Sequence, residues 1–288
     1  MRRSIVCALV LHAAFVHAQQ GFMPLSRTID APFTAGMHSY KADLALHSAI
    51  RPYAREDLSL IPGADTLVPA AWKPGLAKLN DPAKRVHGSP LVEAMAGGSF
   101  GDKDVFKFRS GLGGVLEWNP SARWTLHVDG MLWTEALPDY LDSMAKAVHV
   151  APGEGYVQGT STVTHHDWGA WADYKAGRYF HFTLGKGKNF FGEGMRSLFL
   201  SDNAYSYPYL RITTTAWRIR YVNLFCAFND IRGSSGDWTR YSLKYASMHY
   251  LSWNALKRLN VGLFEAIIWQ DNDPNYPRGF DVSYLNPV

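Results

Sequence analysis

Cysteine is almost absent from this 288-residue chain: Cys7 and Cys226 are the two that occur. Long apolar runs are missing too. A membrane-spanning helix needs roughly 18 or more consecutive apolar residues, and no run of that length exists. Charge is sparse at 19% and nearly balanced, with a formal net charge of +4, so binding driven by bulk charge, as to nucleic acid, is not indicated. Aromatic side chains, in contrast, are plentiful at 14% of residues within a 47% hydrophobic composition. That content argues against wholesale disorder and asks where so many rings are placed.

The first residues read as an export signal. Arg2 and Arg3 form a positive start, residues 5–16 a short apolar stretch, and Val16-His17-Ala18 a small-residue cleavage site. Residues 1–18 are therefore expected to be a signal peptide. Its removal takes away two positive charges and no negative one, lowering +4 to +2. Cys7 leaves with it, so Cys226 alone cannot form an internal disulfide, and a thiolate zinc site is improbable.

Residues 19–90 show little period and are rich in Pro, Ala and Gly, with short candidate helices near 41–50. They are expected to form an irregular periplasmic or plug segment. Residues 91–288 change to alternation with period two, the signature of strands. Phe106, Phe108, Leu112, Leu116 and Trp118 share one face, against Lys107, Arg109 and Glu117 on the other. Trp124, Leu126, Val128 and Leu132 alternate with Thr125, His127 and Asp129; Trp168, Ala170, Ala172 and Tyr174 alternate with Asp167, Trp171 and Asp173. Phe180, Phe182 and Leu184 oppose His181 and Thr183, Leu210 and Ile212 oppose Arg211 and Thr213, and Val222, Leu224, Cys226 and Phe228 oppose Tyr221 and Asn223. Further strands are expected at 91–97, 241–253 and 259–270, where His249 or Lys244 and Glu265 break the pattern.

The connections alternate as well. Short ones fall at 119–121, 175–177, 217–218 and 254–258, and longer ones at 135–162, 188–206, 230–238 and 271–278. Tight turns at one end and long loops at the other, on strands of about 9 to 11 residues, are how outer-membrane barrels are built. A soluble β-sandwich also alternates. The recurrent apolar face, the aromatic residues at strand ends and the Arg, Asp, Thr and His of the other face favour the barrel. The expected fold is all-β: an antiparallel transmembrane outer-membrane β-barrel, partial, with about ten strands present.

Three motifs invite other chemistry. His165 and His166 are neighbours on a strand and point to opposite faces, so they cannot easily share a metal ion, and no metal is expected. The glycine-rich, basic stretch 185–194 lacks the Gly-Lys-Ser/Thr ending of a phosphate loop, so no nucleotide cofactor is expected. Glu193, Asp202 and Glu265 offer no carboxylate pair whose separation can be argued, so no catalytic residue is assigned.

The same segment carries a more specific signal. Gly185-Lys-Gly-Lys-Asn-Phe-Phe-Gly-Glu-Gly-Met-Arg-Ser-Leu-Phe-Leu-Ser-Asp-Asn203, Tyr207-Pro-Tyr-Leu210 and Thr213-Thr-Thr-Ala-Trp217 resemble the signature stretch of the Wzi-like capsule-assembly family. The Bacteroidetes branch, with members linked to gliding motility, is the nearest in pattern. Met248-His-Tyr-Leu-Ser-Trp-Asn254, Gly262-Leu-Phe-Glu265, Arg278-Gly-Phe-Asp-Val-Ser-Tyr-Leu-Asn-Pro287 and His47-Ser-Ala-Ile-Arg-Pro-Tyr53 extend the resemblance from about residue 47 to the end. It implies an outer-membrane protein that helps assemble or attach capsular or other surface polysaccharide, binding sugar without cleaving it. Its other partners would be outer-membrane lipid and the barrel-insertion machinery. A porin or solute transporter is the alternative, and a secreted carbohydrate-active enzyme a third reading.

The family resembles barrels of about 18 strands, so about ten point to a fragment, although a closed barrel of about ten is geometrically possible. On this reading Lys188, Arg196, Asp202, Asn203, Tyr205 and Tyr207 are the polysaccharide-binding candidates. Polar groups would bond sugar hydroxyls or acids, while these tyrosines, with Phe190 and Phe191, would offer flat faces to sugar rings.

Overall fold

The computed structural model describes residues 22, 25, 27–64, 86–99, 105–194, 196–231, 234, 237–273 and 276–286. The expected signal peptide, residues 1–18, lies outside them, as do residues 65–85 and the terminal Pro287 and Val288. Nine long strands form one antiparallel sheet in chain order: β1 Val86–Ser99, β2 Val105–Ser121, β3 Trp124–Glu135, β4 Val163–Ala176, β5 Phe180–Gly187, β6 Tyr207–Ala216, β7 Ile219–Asp230, β8 Ser242–Leu256 and β9 Leu259–Gln270. The two-residue strand Gln158–Gly159 pairs with β4 and brings the sheet to ten. The all-β expectation is thus met, with strand boundaries longer than the alternation alone marks. β1 begins at Val86, so residues 86–90 belong to the sheet and not to the irregular segment. β1 and β9 are edges, and among the described residues no pairing closes the sheet.

Among the described residues two α-helices accompany the sheet. α1 (Arg27–Met37) precedes it, and α2 (Asp139–Val148) lies in the β3–β4 connection. The helices expected near 41–50 are not there; that stretch is turn and bend, ending in a short pairing of Ile50–Arg51 with Phe190–Phe191. The correction has a local reason: the Asp43 carboxylate accepts the Ala45 N–H at 2.8 Å, an Asx-type turn that competes with helix.

The turns are tight at one end of the sheet. Gly177 adopts φ 72° in the β4–β5 turn, and Trp217 adopts φ 55° in the β6–β7 turn, a conformation that glycine takes more easily. The longer connections β3–β4, β5–β6 and β7–β8 all fall at the opposite end.

Residues 27–64 cover one face of this sheet. Phe33, Met37, Leu46, Tyr53 and Ile61 make the segment's own core. A second core joins Ile50 and Phe191 to Tyr207, Tyr209, Val222, Leu224, Cys226, Ala246, Met248 and Tyr250 of β6–β8. Elsewhere the covered face is polar and buried: Glu117, Thr125, His127, Glu135, His165, Asp173, Thr183, Arg211 and Arg220 lie there.

The other face is apolar and open over β2–β5, whereas on β7–β9 Phe225, Ser247, His249 and Trp269 of the same parity are buried, Trp269 against Phe280 and Tyr284. Leu112 is 67% exposed, Leu132 59%, Leu184 65% and Leu263 63%, and Leu116 and Val128 are similarly bare. Aromatic residues gather at both ends of this face. Trp118, Trp124, Tyr174, Phe180 and Trp253 lie toward the tight turns, and Phe106, Trp168 and Trp269 toward the long loops.

The register corrects one parity. Val222, Leu224 and Cys226 alternate as if to join the open apolar face, yet Arg211 pairs with Leu224, which places them on the covered face beneath Ile50 and Phe191. Asn223, His249 and Glu265 consequently share a row on the open face. There His249 Nδ1 lies 2.7 Å from Asn223 Oδ1 and its Nε2 3.1 Å from the Ser247 hydroxyl, between the rings of Tyr221 and Phe225.

Candidate functional site

The covered face is organised at the tight-turn end by three consecutive side chains of one 3-10 turn, Arg55–Leu60. Arg55 donates twice to the Glu117 carboxylate of β2, at 2.8 and 2.6 Å. Glu56 accepts from Lys175 of β4 and lies 3.5 Å from His181 of β5. Asp57 accepts twice from Arg220 of β7, at 2.7 and 2.8 Å. A 3-10 turn advances about 120° per residue, so successive side chains fan out in three directions and reach strands on both sides. Both bidentate pairs are buried, and such charges are tolerated there only when paired.

In the middle of the face the sheet makes room for flat rings. A Cβ on Gly185 would collide with Trp171, and one on Gly111 with Trp133, so each tryptophan lies against a glycine of the neighbouring strand. Trp171 stacks on His127 at 4.6 Å and 8°, and Trp133 on His165 at 5.0 Å and 17°. Arg211 is fully buried beside them, donating to Thr213 and to the Asn189 side-chain carbonyl at 3.1 Å each, beneath the Phe22 ring.

Toward the long loops lies the densest charge cluster. The Arg109 guanidinium meets Glu93 at 3.0 Å, Glu154 at 2.8 Å and Glu135 at 3.4 Å, with Trp133 below it. His165 Nε2 is 2.6 Å from Glu135. Glu154, in the β3–β4 connection, has a carboxyl that burial pushes up but whose bond and charge from Arg109 draw below the ordinary carboxylate range on balance.

The six sequence-predicted residues fall around this end, unequally disposed. Lys188 donates to the Gly153 carbonyl at 2.6 Å and lies 3.5 Å from Asp167. The backbones of Asp202 and Asn203 lie beside Gly153, and the Tyr205 ring packs on Gly155 while its hydroxyl donates to the His166 carbonyl at 3.0 Å. Burial raises the Tyr205 phenol to about 12, so it stays a protonated donor. These four converge on the 153–155 turn.

Arg196 is exposed and, among the described residues, no hydrogen bond or ion pair joins it to any of them. Glu193, a natural partner by sequence, instead accepts from Ser48 at 2.6 Å. Tyr207 is a correction: it is 3% exposed, and its hydroxyl accepts the Asn189 N–H at 3.1 Å inside the core. Phe190 and Phe191 are likewise buried, so none of these three rings offers a face to a sugar.

Arg55, Glu56, Asp57 and Glu154 escape the sequence reading, because they sit in irregular segments without a period. Arg109, Glu117 and His127 carry a legible signal, being the polar parity of β2 and β3. His165 and His166 face opposite sides, as strand geometry requires: His165 is buried on the covered face and His166 is exposed. Comparison with family models, with curated proteins and with solved structures finds no match to this chain.

Proposed function

We propose that this chain forms part of an outer-membrane β-barrel that binds capsular or other surface polysaccharide without cleaving it, and so serves its assembly or attachment. The observation that carries the membrane part is the inversion of the sheet's two faces. A water-soluble sheet hides its apolar face, yet over β2–β5 the face with buried Arg, Glu, Asp and His is covered and the leucine-rich face is bare. Monomers in water rarely expose contiguous apolar patches beyond a few hundred Å². A lipid-facing surface requires the opposite arrangement, including aromatic rows at both ends.

The dimensions agree. Phe106 and Trp118 of β2 are twelve residues apart. That spacing is about 40 Å along a strand. At a tilt of about 40° it is about 30 Å along the membrane normal, the thickness of a hydrocarbon core.

A sheet in lipid must also have its edges paired, because unsatisfied backbone groups cost several kcal/mol each in hydrocarbon. β1 and β9 are separated by eight antiparallel steps and therefore run in the same direction. Closure by antiparallel pairing thus takes an odd number of further strands, from this chain or another. Two copies joined edge to edge would instead meet in parallel seams.

The polysaccharide part rests on the Wzi-like resemblance and on the Lys188, Asp202, Asn203 and Tyr205 grouping at the long-loop end. A porin would need an open lumen, whereas residues 27–64 lie against the covered face. Titration of the full-length protein with the producing organism's own capsular polysaccharide tests the assignment. Binding should fall at least tenfold in a Lys188→Ala, Asp202→Ala double variant. Equal affinity for the variant would remove these residues from the site, and a large steady conductance in planar bilayers would favour transport.

A further inference from the structure

We propose that His165 and Glu154, supported by Glu135, form a binding site for a divalent transition-metal ion, with Zn²⁺ the ion the geometry fits best. The His165 ring is fully buried on the covered face, and its two nitrogens have different surroundings. Nε2 lies 2.6 Å from Glu135 Oε1, a hydrogen bond that makes Nε2–H the donor. In that tautomer Nδ1 presents a bare lone pair, and it has no hydrogen-bond partner among the described residues.

Nδ1 does face Glu154 Oε2, at 3.5 Å. That distance is too long for a good N–H···O bond. It is the separation expected of two ligands on one tetrahedral ion, since Zn–N and Zn–O distances of about 2.0–2.2 Å set ligand atoms about 3.3–3.5 Å apart. A carboxylate on the far nitrogen, holding the imidazole in place, is how metal-bound histidines are generally oriented. One ligand atom from each of Glu135, Glu154 and His165 lies within 4.8 Å of the others.

Charge points the same way. Glu93, Glu135 and Glu154 bring three negative charges and Arg109 one positive, so with His165 serving as a neutral ligand the largely buried cluster sums to −3 + 1 = −2. A divalent cation brings the sum to zero. Arg109 holds Glu93 at 3.0 Å and both oxygens of Glu154, Oε1 at 2.8 Å and Oε2 at 3.1 Å, so the ion would take the second lone pair of Oε2 beside the longer of the two bonds. Trp133, stacked on His165, fixes the ring plane. Glu154 is one-quarter exposed and gives the ion a route in from the loop side. The bound ion would tie the β3–β4 connection to β4, next to the 153–155 turn. The binding itself does not depend on the polysaccharide reading.

The test uses the full-length protein in detergent micelles, stripped with a chelator and titrated with Zn²⁺ by calorimetry, with Co²⁺ as a spectroscopic probe. The expected result is one ion per folded chain and the visible absorption of four-coordinate Co²⁺. Glu135→Gln should weaken binding by about 10- to 100-fold. Glu154→Gln and His165→Gln should weaken it at least as much, while His166→Ala, on the other face, leaves it unchanged. If His165→Gln does not fold, Glu154→Gln decides alone, since its side chain lies in a loop. Failure of the folded wild type to take up either ion, or affinity undiminished in Glu154→Gln, overturns the proposal.

Discussion

Leu132 offers the sharpest way to ask what solvent the open face meets. It lies on β3 beside Leu112, the midpoint of the Phe106–Trp118 span, eight residues from Trp124, and its side chain points away from the covered face. It is 59% exposed. If that face is in water, Leu132→Arg is an ordinary surface substitution, within about 0.5 kcal/mol of neutral. If it faces hydrocarbon, arginine near the midplane of a barrel costs about 2–4 kcal/mol, falling to about 0–1 kcal/mol near the interface. The larger figure corresponds to about 30- to 700-fold in the folding equilibrium. Leu256, 64% exposed beside the β8–β9 turn, is the matched control, because arginine there would reach the headgroups. Urea unfolding of the full-length protein in phospholipid vesicles, followed by tryptophan fluorescence, should separate Leu132→Arg from Leu256→Arg by at least about 1.5 kcal/mol. Equal and near-zero losses for the two variants would refute the reasoning.

Asp57→Ala should cost about 3–5 kcal/mol, because it strands the buried Arg220 guanidinium; a loss below about 1 kcal/mol in the same unfolding assay would reduce the pair to an ordinary surface ion pair. Gly185→Ala should cost at least about 1–3 kcal/mol, because its Cβ would fall 2.3 Å from the Ala170 carbonyl oxygen and 2.5 Å from Trp171 Cα and so force β4 and β5 apart, whereas Gly114→Ala, where a Cβ meets nothing closer than 3.5 Å, should be nearly neutral. Acid should loosen residues 27–64 from the sheet. His47, held to about 3 by burial and by the charge of Arg220, refuses a proton that the unfolded chain takes below its ordinary 6.5. Glu56, drawn to about 2 by its bond to His181 and by Lys175 against the opposing effect of burial, contributes stability that is lost as pH falls from 4.5 toward 2. Asp30 works the other way, since burial raises it to about 6 and it gains stability as pH falls from 6 to 3.8. His47 and Asp30 nearly cancel between pH 6 and 3.8, so protease sensitivity of residues 27–64 should rise steeply only below about pH 4. A rise centred near pH 6 would contradict these assignments.

The strands were legible because a sheet with chemically different faces writes its period into the sequence, as Leu112, Leu116 and Trp118 against Arg109 and Glu117 show. The period misled at β7, where both faces are apolar for different reasons: Leu224 packs under Ile50 and Phe191, while Phe225 faces outward. No local pattern separates those causes, because Ile50 is remote in sequence. The clamp of Arg55, Glu56 and Asp57 was illegible for the same reason, each partner lying more than 60 residues away. In the candidate site, Tyr207 and Phe191 looked like sugar platforms because they flank polar loop residues. Only the pairing of Ile50 with Phe191 shows that the N-terminal segment already covers them.

The placement of the open face against lipid is tested most directly by spin labels placed one at a time along β3, in a Cys226→Ala background of the full-length protein in vesicles. Labels at 126, 128 and 132 should be far more accessible to oxygen than to a water-soluble nickel complex, and labels at 125 and 127 protected from both. Outward positions that are instead open to nickel and indifferent to lipid would contradict a membrane-facing sheet.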